Sequence, residues 1–134
     1  MKLVAFRDPA WARMMGALLS GQVHYTFNIP DTLRYITKVR PYLVFLSSFA
    51  AEPALISTLV ERSPSTLVVY VTRTLTRVQR REAIAAGAYE AIDFFTDDLP
   101  TTVQQIVTVA YESRGLTSSS NLPRVGPPAL KLVP

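Results

Sequence analysis

Short runs of large apolar residues alternate along the chain with longer segments whose apolar residues recur three and four positions apart. The most continuous run is Pro41-Tyr42-Leu43-Val44-Phe45-Leu46-Ser47-Ser48. It is too short for a helix and has no polar alternation, so it predicts a strand buried on both faces of a parallel sheet. Residues just past the carboxyl end of such a strand face the functional crevice, which places Ser47 and Ser48 there.

Lys2 to Phe6 predicts a first strand. Asp8-Pro9 then caps a helix carrying Trp11, Met14, Met15, Leu18 and Leu19 toward the core, with Gly21 closing it. Val23 to Ile29 alternates, with Val23, Tyr25, Phe27 and Ile29 on one side, as in a half-buried strand near an edge. Pro30-Asp31 opens a helix with Leu33, Ile36 and Val39 inward and Tyr35 alongside, stopped before Pro41. After the central strand, a loop through Phe49 and Ala50 leads to a helix from Glu52-Pro53, burying Leu55, Ile56, Leu59 and Val60.

Thr66 to Thr72 is a second fully apolar strand, rich in β-branched residues. Thr74 predicts the cap of a fourth helix through Ala86, with Gly87 as its left-handed stop. A fifth strand lies within Ala88 to Phe95, and Asp97-Asp98-Leu99-Pro100 starts a fifth helix burying Val103, Ile106, Val107 and Ala110. Five β-α units call for an α/β fold, a parallel sheet with helices on both faces.

Composition narrows the picture. A chain of 134 residues, 49% hydrophobic and 18% charged, is expected to form one globular domain. After Gly115 the character changes. Residues 115–134 include Thr117-Ser118-Ser119-Ser120 and four prolines, so they read as a flexible tail or linker beyond a domain of residues 1–114. No apolar run reaches the roughly 20 residues that span a bilayer, and Arg7 and Asp8 interrupt the N-terminal run too early for a signal peptide. Cysteine is absent, which excludes disulfides, thiolate metal sites and a cysteine nucleophile, and fits a reducing cytoplasm. The net charge of +4 suggests an acidic partner at most.

Three stretches resemble the receiver domain of two-component response regulators: Asp8-Pro9 with the spacing of Met14, Met15, Leu18 and Leu19; Arg40-Pro41-Tyr42-Leu43-Val44-Phe45-Leu46; and Glu82-Ala83-Ile84-Ala85-Ala86-Gly87-Ala88. The resemblance spans residues 2 to about 114. It implies a flavodoxin-like (βα)5 three-layer sandwich with a five-stranded parallel sheet in the order 2-1-3-4-5. It also implies an acidic pair holding magnesium, a phosphoacceptor aspartate, a Thr or Ser, and a Lys, all at strand ends. By position the acidic pair falls on Phe6 and Arg7, or on Arg7 and Asp8 if the first strand slips by one. The acceptor falls on Ser47, the Thr on Thr72, the Lys on Phe94, the following proline on Phe95, and the aromatic that reports the active state on Ala91.

Only Thr72 keeps its residue type, so Arg7, Asp8, Ser47, Thr72 and Phe94 form a vestigial phosphorylation site. A serine hydroxyl cannot form an acyl phosphate, and phosphoryl transfer depends on the positioning and charge groups that are replaced here. Arg7 with Asp8 reads either as a built-in mimic of the charged site or as a strand-end salt bridge. Ser47 and Ser48 read as serine-kinase targets or as hydroxyls bonded to loop backbone.

Arg73, Arg77, Arg80 and Arg81 recur at helical spacing as a basic stripe on the fourth helix. With Tyr89 and Phe95 they form the expected interaction surface, because receivers use the fourth helix, fifth strand and fifth helix for partners or dimers; the alternative is a solvated face. His24 reads as a surface residue, and Trp11 with the Met14/Met15 pair as core. A flavin-binding phosphate loop, a cobalamin Asp-x-His-x-x-Gly, a Gly-x-Gly-x-x-Gly and a Walker loop are all missing. A helix-turn-helix signature is missing too, so nucleic acid is not an expected partner.

The expected function is a phosphorylation-independent pseudo-receiver, acting as a protein-interaction or dimerisation module in a signalling assembly. It would have no enzymatic activity, metal or cofactor. The alternative is a small-ligand sensor in which Arg7 pairs with an anion in the crevice near Ser47 and Thr72.

Overall fold

The computed structural model describes residues 1–47 and 53–117. Ser48, the expected loop through Phe49 and Ala50, Glu52 and the tail from Ser118 to Pro134 lie outside the described residues. The elements follow in the order β1 (Lys2–Ala5), α1 (Pro9–Ala17), β2 (Val23–Thr26), α2 (Ile29–Val39), β3 (Leu43–Ser47), α3 (Pro53–Arg62), β4 (Leu67–Thr72), α4 (Arg77–Ala85), β5 (Glu90–Asp93) and α5 (Leu99–Thr117). The strands form one parallel sheet in the order β2-β1-β3-β4-β5, as expected.

Alternation along the strands divides the core into two layers. Val4, Phe6, Leu43, Phe45, Val69, Val71, Ile92 and Phe94 face α1 and α5, meeting Ala12, Met15, Leu99, Val103 and Ile106. Leu3, Ala5, Val44, Leu46, Val68, Tyr70 and Ala91 face the other way, against Ile36 of α2, Ile56 and Leu59 of α3 and Ala83 of α4. β3 and β4 are apolar on both sides because both sides are covered. Lys2 is buried in β1, but its Nζ donates to the Ser20 carbonyl at 2.6 Å and sits 5.7 Å from the Tyr42 ring centroid.

Several boundaries and faces differ from expectation, each for a local reason. β2 stops at Thr26 because Asn28, in extended conformation, accepts from the Asp31 amide and starts α2 at Ile29, with Pro30 inside the first turn. Phe27 and Ile29 therefore leave the alternating face and are exposed, and so is Val39 at the far end of α2. Met15 is fully buried, whereas Met14 is 56% exposed, since the buried face of α1 runs through Ala12, Met15 and Gly16 and position 14 points away from it. α1 ends at Ala17, before the left-handed Gly21. α5 continues through Gly115 to Thr117, past the expected boundary at residue 114.

α4 begins later than Thr74 predicted. Thr76 is its cap: the Thr76 hydroxyl accepts from the Gln79 amide at 3.1 Å, and the Gln79 side chain accepts from the Thr76 amide at 3.0 Å. Arg73 thus lies in the β4–α4 loop and not on the helix. At the other end Gly87 takes φ +114, where a Cβ would press on Val60.

Candidate functional site

Parallel pairing brings the carboxyl ends of four strands to one edge, with Ala5 opposite Leu46, Ser47 opposite Val71 and Thr72 opposite Asp93. The next residues of β1 and β5 are Phe6 and Phe94, which project into the α1/α5 layer. A crevice of about 560 Å³ opens over this edge, and Phe6, Arg7, Asp8, Ser47, Thr72 and Phe94 all line it, together with Trp11 and Arg73. The residues expected at the vestigial site therefore come together around one space.

Its floor and wall are aromatic. Phe6 and Phe94 meet edge-on, with ring centroids 6.1 Å apart. Trp11 stacks on Phe94 at 4.9 Å, and Phe95 meets both Trp11 and Phe94 edge-on, at 4.9 and 5.5 Å. Such pairs add about 0.5–1.5 kcal/mol each beyond the area they bury. Phe94 is buried, while Phe95 is 58% exposed at the rim. The guanidinium of Arg73 lies 5.3 Å from the Trp11 ring centroid and 5.8 Å from that of Phe95.

The polar groups are sparse. Asp8 caps α1, its Oδ1 accepting from the Ala10 amide at 2.8 Å. No Arg7–Asp8 ion pair occurs, so the strand-end salt bridge, one of the two readings of this pair, does not form. Asp93, outside the crevice lining, is committed to backbone: its two oxygens accept from the amides of Phe95 (3.0 Å) and Leu75 (3.3 Å). The Thr72 hydroxyl is buried and has no hydrogen-bond partner among the described residues.

This donor set does not fit a magnesium ion, which takes oxygen ligands in near-octahedral order. One carboxylate lines the crevice among the described residues, it already serves as a helix cap, and a guanidinium precedes it in the chain. Elsewhere too, no three His, Cys, Asp or Glu side chains gather into a metal-holding group among the described residues.

The expected interaction surface is rearranged. Arg73 belongs to the crevice. Arg80 reaches across to β5 and pairs with Glu90 at 2.9 Å. Tyr89 is half-buried with its hydroxyl enclosed and unpartnered among the described residues, and burial, then the Glu90 charge, raise its pKa. Arg77 and Arg81 remain exposed on α4, and Ile84 continues their row at the i, i+4, i+7 spacing, exposed as well, with Val78 beside them. His24 is exposed as expected but stacks flat on Tyr35 at 4.0 Å.

Sequence reasoning missed the parts played by Trp11 and Arg73. The contacts of Trp11 join α1 to the ends of distant segments and leave no local signal. Gln79, three positions after Thr76, was the signal that Arg73 precedes the helix.

No family model matches the chain, and no curated protein matches it by sequence. Solved structures do match its fold. The signal receiver domain of a DNA-binding response regulator from Colwellia psychrerythraea is 18% identical with a TM-score of 0.68, covering 80% of this chain and 97% of that one. A response regulator from Thermotoga maritima is 20% identical, TM-score 0.71, over 80% of this chain and 96% of that one. An orphan response regulator of H. pylori is 17% identical, TM-score 0.70, over 81% of this chain and 94% of that one. With five β-α units, the strand order 2-1-3-4-5 and these neighbours, the chain has the fold of a response-regulator receiver domain.

Proposed function

We propose that this chain is a receiver-fold signalling module that acts by docking to a protein partner, without aspartyl phosphorylation and without catalysis of its own. The observation that carries the reading is the aromatic cluster at the strand ends. Phe6 and Phe94 pack together where the resemblance asks for an acidic residue and a lysine, and Ser47 stands in the acceptor position. The carboxylate pair, acceptor aspartate and lysine that covalent phosphoryl transfer to an aspartate relies on are replaced at this floor, and a serine hydroxyl cannot form an acyl phosphate.

The surface left for docking is α4 and its neighbours, where Arg77, Arg81, Val78 and Ile84 are exposed beside the Arg80–Glu90 pair. Mixed basic and apolar character suits an acidic protein partner or a second copy of the chain. No helix among the described residues is long and apolar enough to cross a membrane, and the cysteine-free sequence fits work in a reducing cytoplasm.

The test is incubation with acetyl phosphate and magnesium, followed by intact-mass analysis. The protein stays unphosphorylated. A hydroxylamine-labile phosphoryl adduct on any aspartate overturns the reading.

A further inference from the structure

The crevice where the resemblance asks for phosphorylation chemistry holds other groups. Arg7 and Arg73 both line it, and neither forms an ion pair with a carboxylate among the described residues. Arg73 rests on the faces or edges of Trp11 and Phe95, the place a cation takes when no anion is at hand. Against these two positive charges stands the single carboxylate of Asp8, already engaged by the Ala10 amide. The recess is therefore net positive among its described residues. The positive end of the α1 dipole lies at the same rim, since Pro9, the first residue of α1, lines it too.

Thr72 supplies the independent observation. Its hydroxyl is buried at the crevice with no partner, and a buried hydroxyl left unpaired costs about 1–3 kcal/mol. A ligand able to reach it recovers that cost. The adjoining wall is aromatic, with Trp11 stacked on Phe94 and Phe6 set edge-on to Phe94. A volume of about 560 Å³ matches a small organic molecule.

We infer that the crevice is a non-covalent binding site for a small planar aromatic anion, its ring against Trp11 and its anionic group held by Arg7 and Arg73. Arg73 leaves the Trp11 ring to meet the anion, and the ligand's ring takes the vacated contact. The anion is a carboxylate or a phosphate monoester, both of which accept the paired N–H groups of a guanidinium. This site is separate from the α4 docking surface and stands whether or not that surface is used.

Isothermal calorimetry on the full chain tests it with two sets of probes. Indole-3-acetate is compared with indole and with acetate, and AMP with adenosine and with inorganic phosphate. At least one complete ring-plus-anion probe binds about tenfold or more tighter than either of its halves, and the Arg73→Ala and Arg7→Ala variants each lose about tenfold in that affinity. Both arginines are exposed, so each unliganded variant keeps the parent's circular dichroism and cooperative unfolding, with Arg73→Ala at a slightly lower thermal midpoint for its lost ring contacts. Preference for indole-3-acetate assigns the carboxylate, and preference for AMP the phosphate; either supports the site. The inference is overturned if neither probe binds at millimolar concentration, if acetate or phosphate alone binds as well as the complete probe, or if Arg73→Ala leaves the affinity unchanged.

Discussion

Tyr89 places a hydroxyl where no group among the described residues receives its proton, and burial followed by the neighbouring Glu90 charge raises its pKa above the ordinary 10.0. Below that value both folded and unfolded chains keep the proton, and pH has no hold on stability through this residue. As pH rises through 10.0 the unfolded chain releases the proton first, while the folded chain retains it until its higher pKa is reached. Stability is therefore lost across that alkaline window. Tyr89→Phe should lose less stability than the parent between about pH 8 and about pH 11, measured as urea midpoints. At neutral pH it should be more stable than the parent, by about 1 kcal/mol or more, because it removes a buried hydroxyl that has no hydrogen-bond partner among the described residues. Tyr35, also raised by burial, keeps part of the alkaline loss in the variant.

The start of α4 is an element-scale matter, because one reciprocal pair of hydrogen bonds decides which residues are helical. Thr76→Ala should cost about 1 kcal/mol in urea unfolding and Thr76→Ser much less, the usual range for loss of an N-cap. Both Thr74 and Thr76 are good caps by type. Only Thr76 has a glutamine three positions on, whereas Thr74 has Arg77 there. That detail was legible and outweighs the cap residue taken alone. β3 and β4 were legible for a stronger reason: a continuous apolar run can be satisfied only between two covered faces. The placement of Ser47, Thr72 and Phe94 at one edge followed directly, since parallel strands align their ends. The contact between Trp11 and Arg73 was not legible, because it joins α1 to the β4–α4 loop across the sheet edge and leaves no local periodicity. Likewise the end of β2 was hidden by an alternation that Phe27 and Ile29 extend by chance into a loop and a helix.

At the scale of the whole molecule, a net charge of +4 resides largely in exposed arginines, and α4 presents a compact group of them. The Arg80–Glu90 pair ties one arginine to the sheet, so the charges free to meet a partner are Arg77 and Arg81, in one row with Ile84. Reversing both, as Arg77→Glu with Arg81→Glu, should abolish self-association or partner capture while leaving circular dichroism and thermal midpoint near the parent's. Sedimentation velocity and pull-down check this, and unchanged behaviour in both counts against an α4 interface. The stacked Trp11 has a practical consequence. It is the single tryptophan of the chain, lying on Phe94 with the Arg73 guanidinium over it. Light absorbed at the red edge of the protein spectrum therefore excites one indole only, and its emission colour and lifetime become a label-free readout of where the β4–α4 loop rests. The molecule carries its own optical gauge at the crevice.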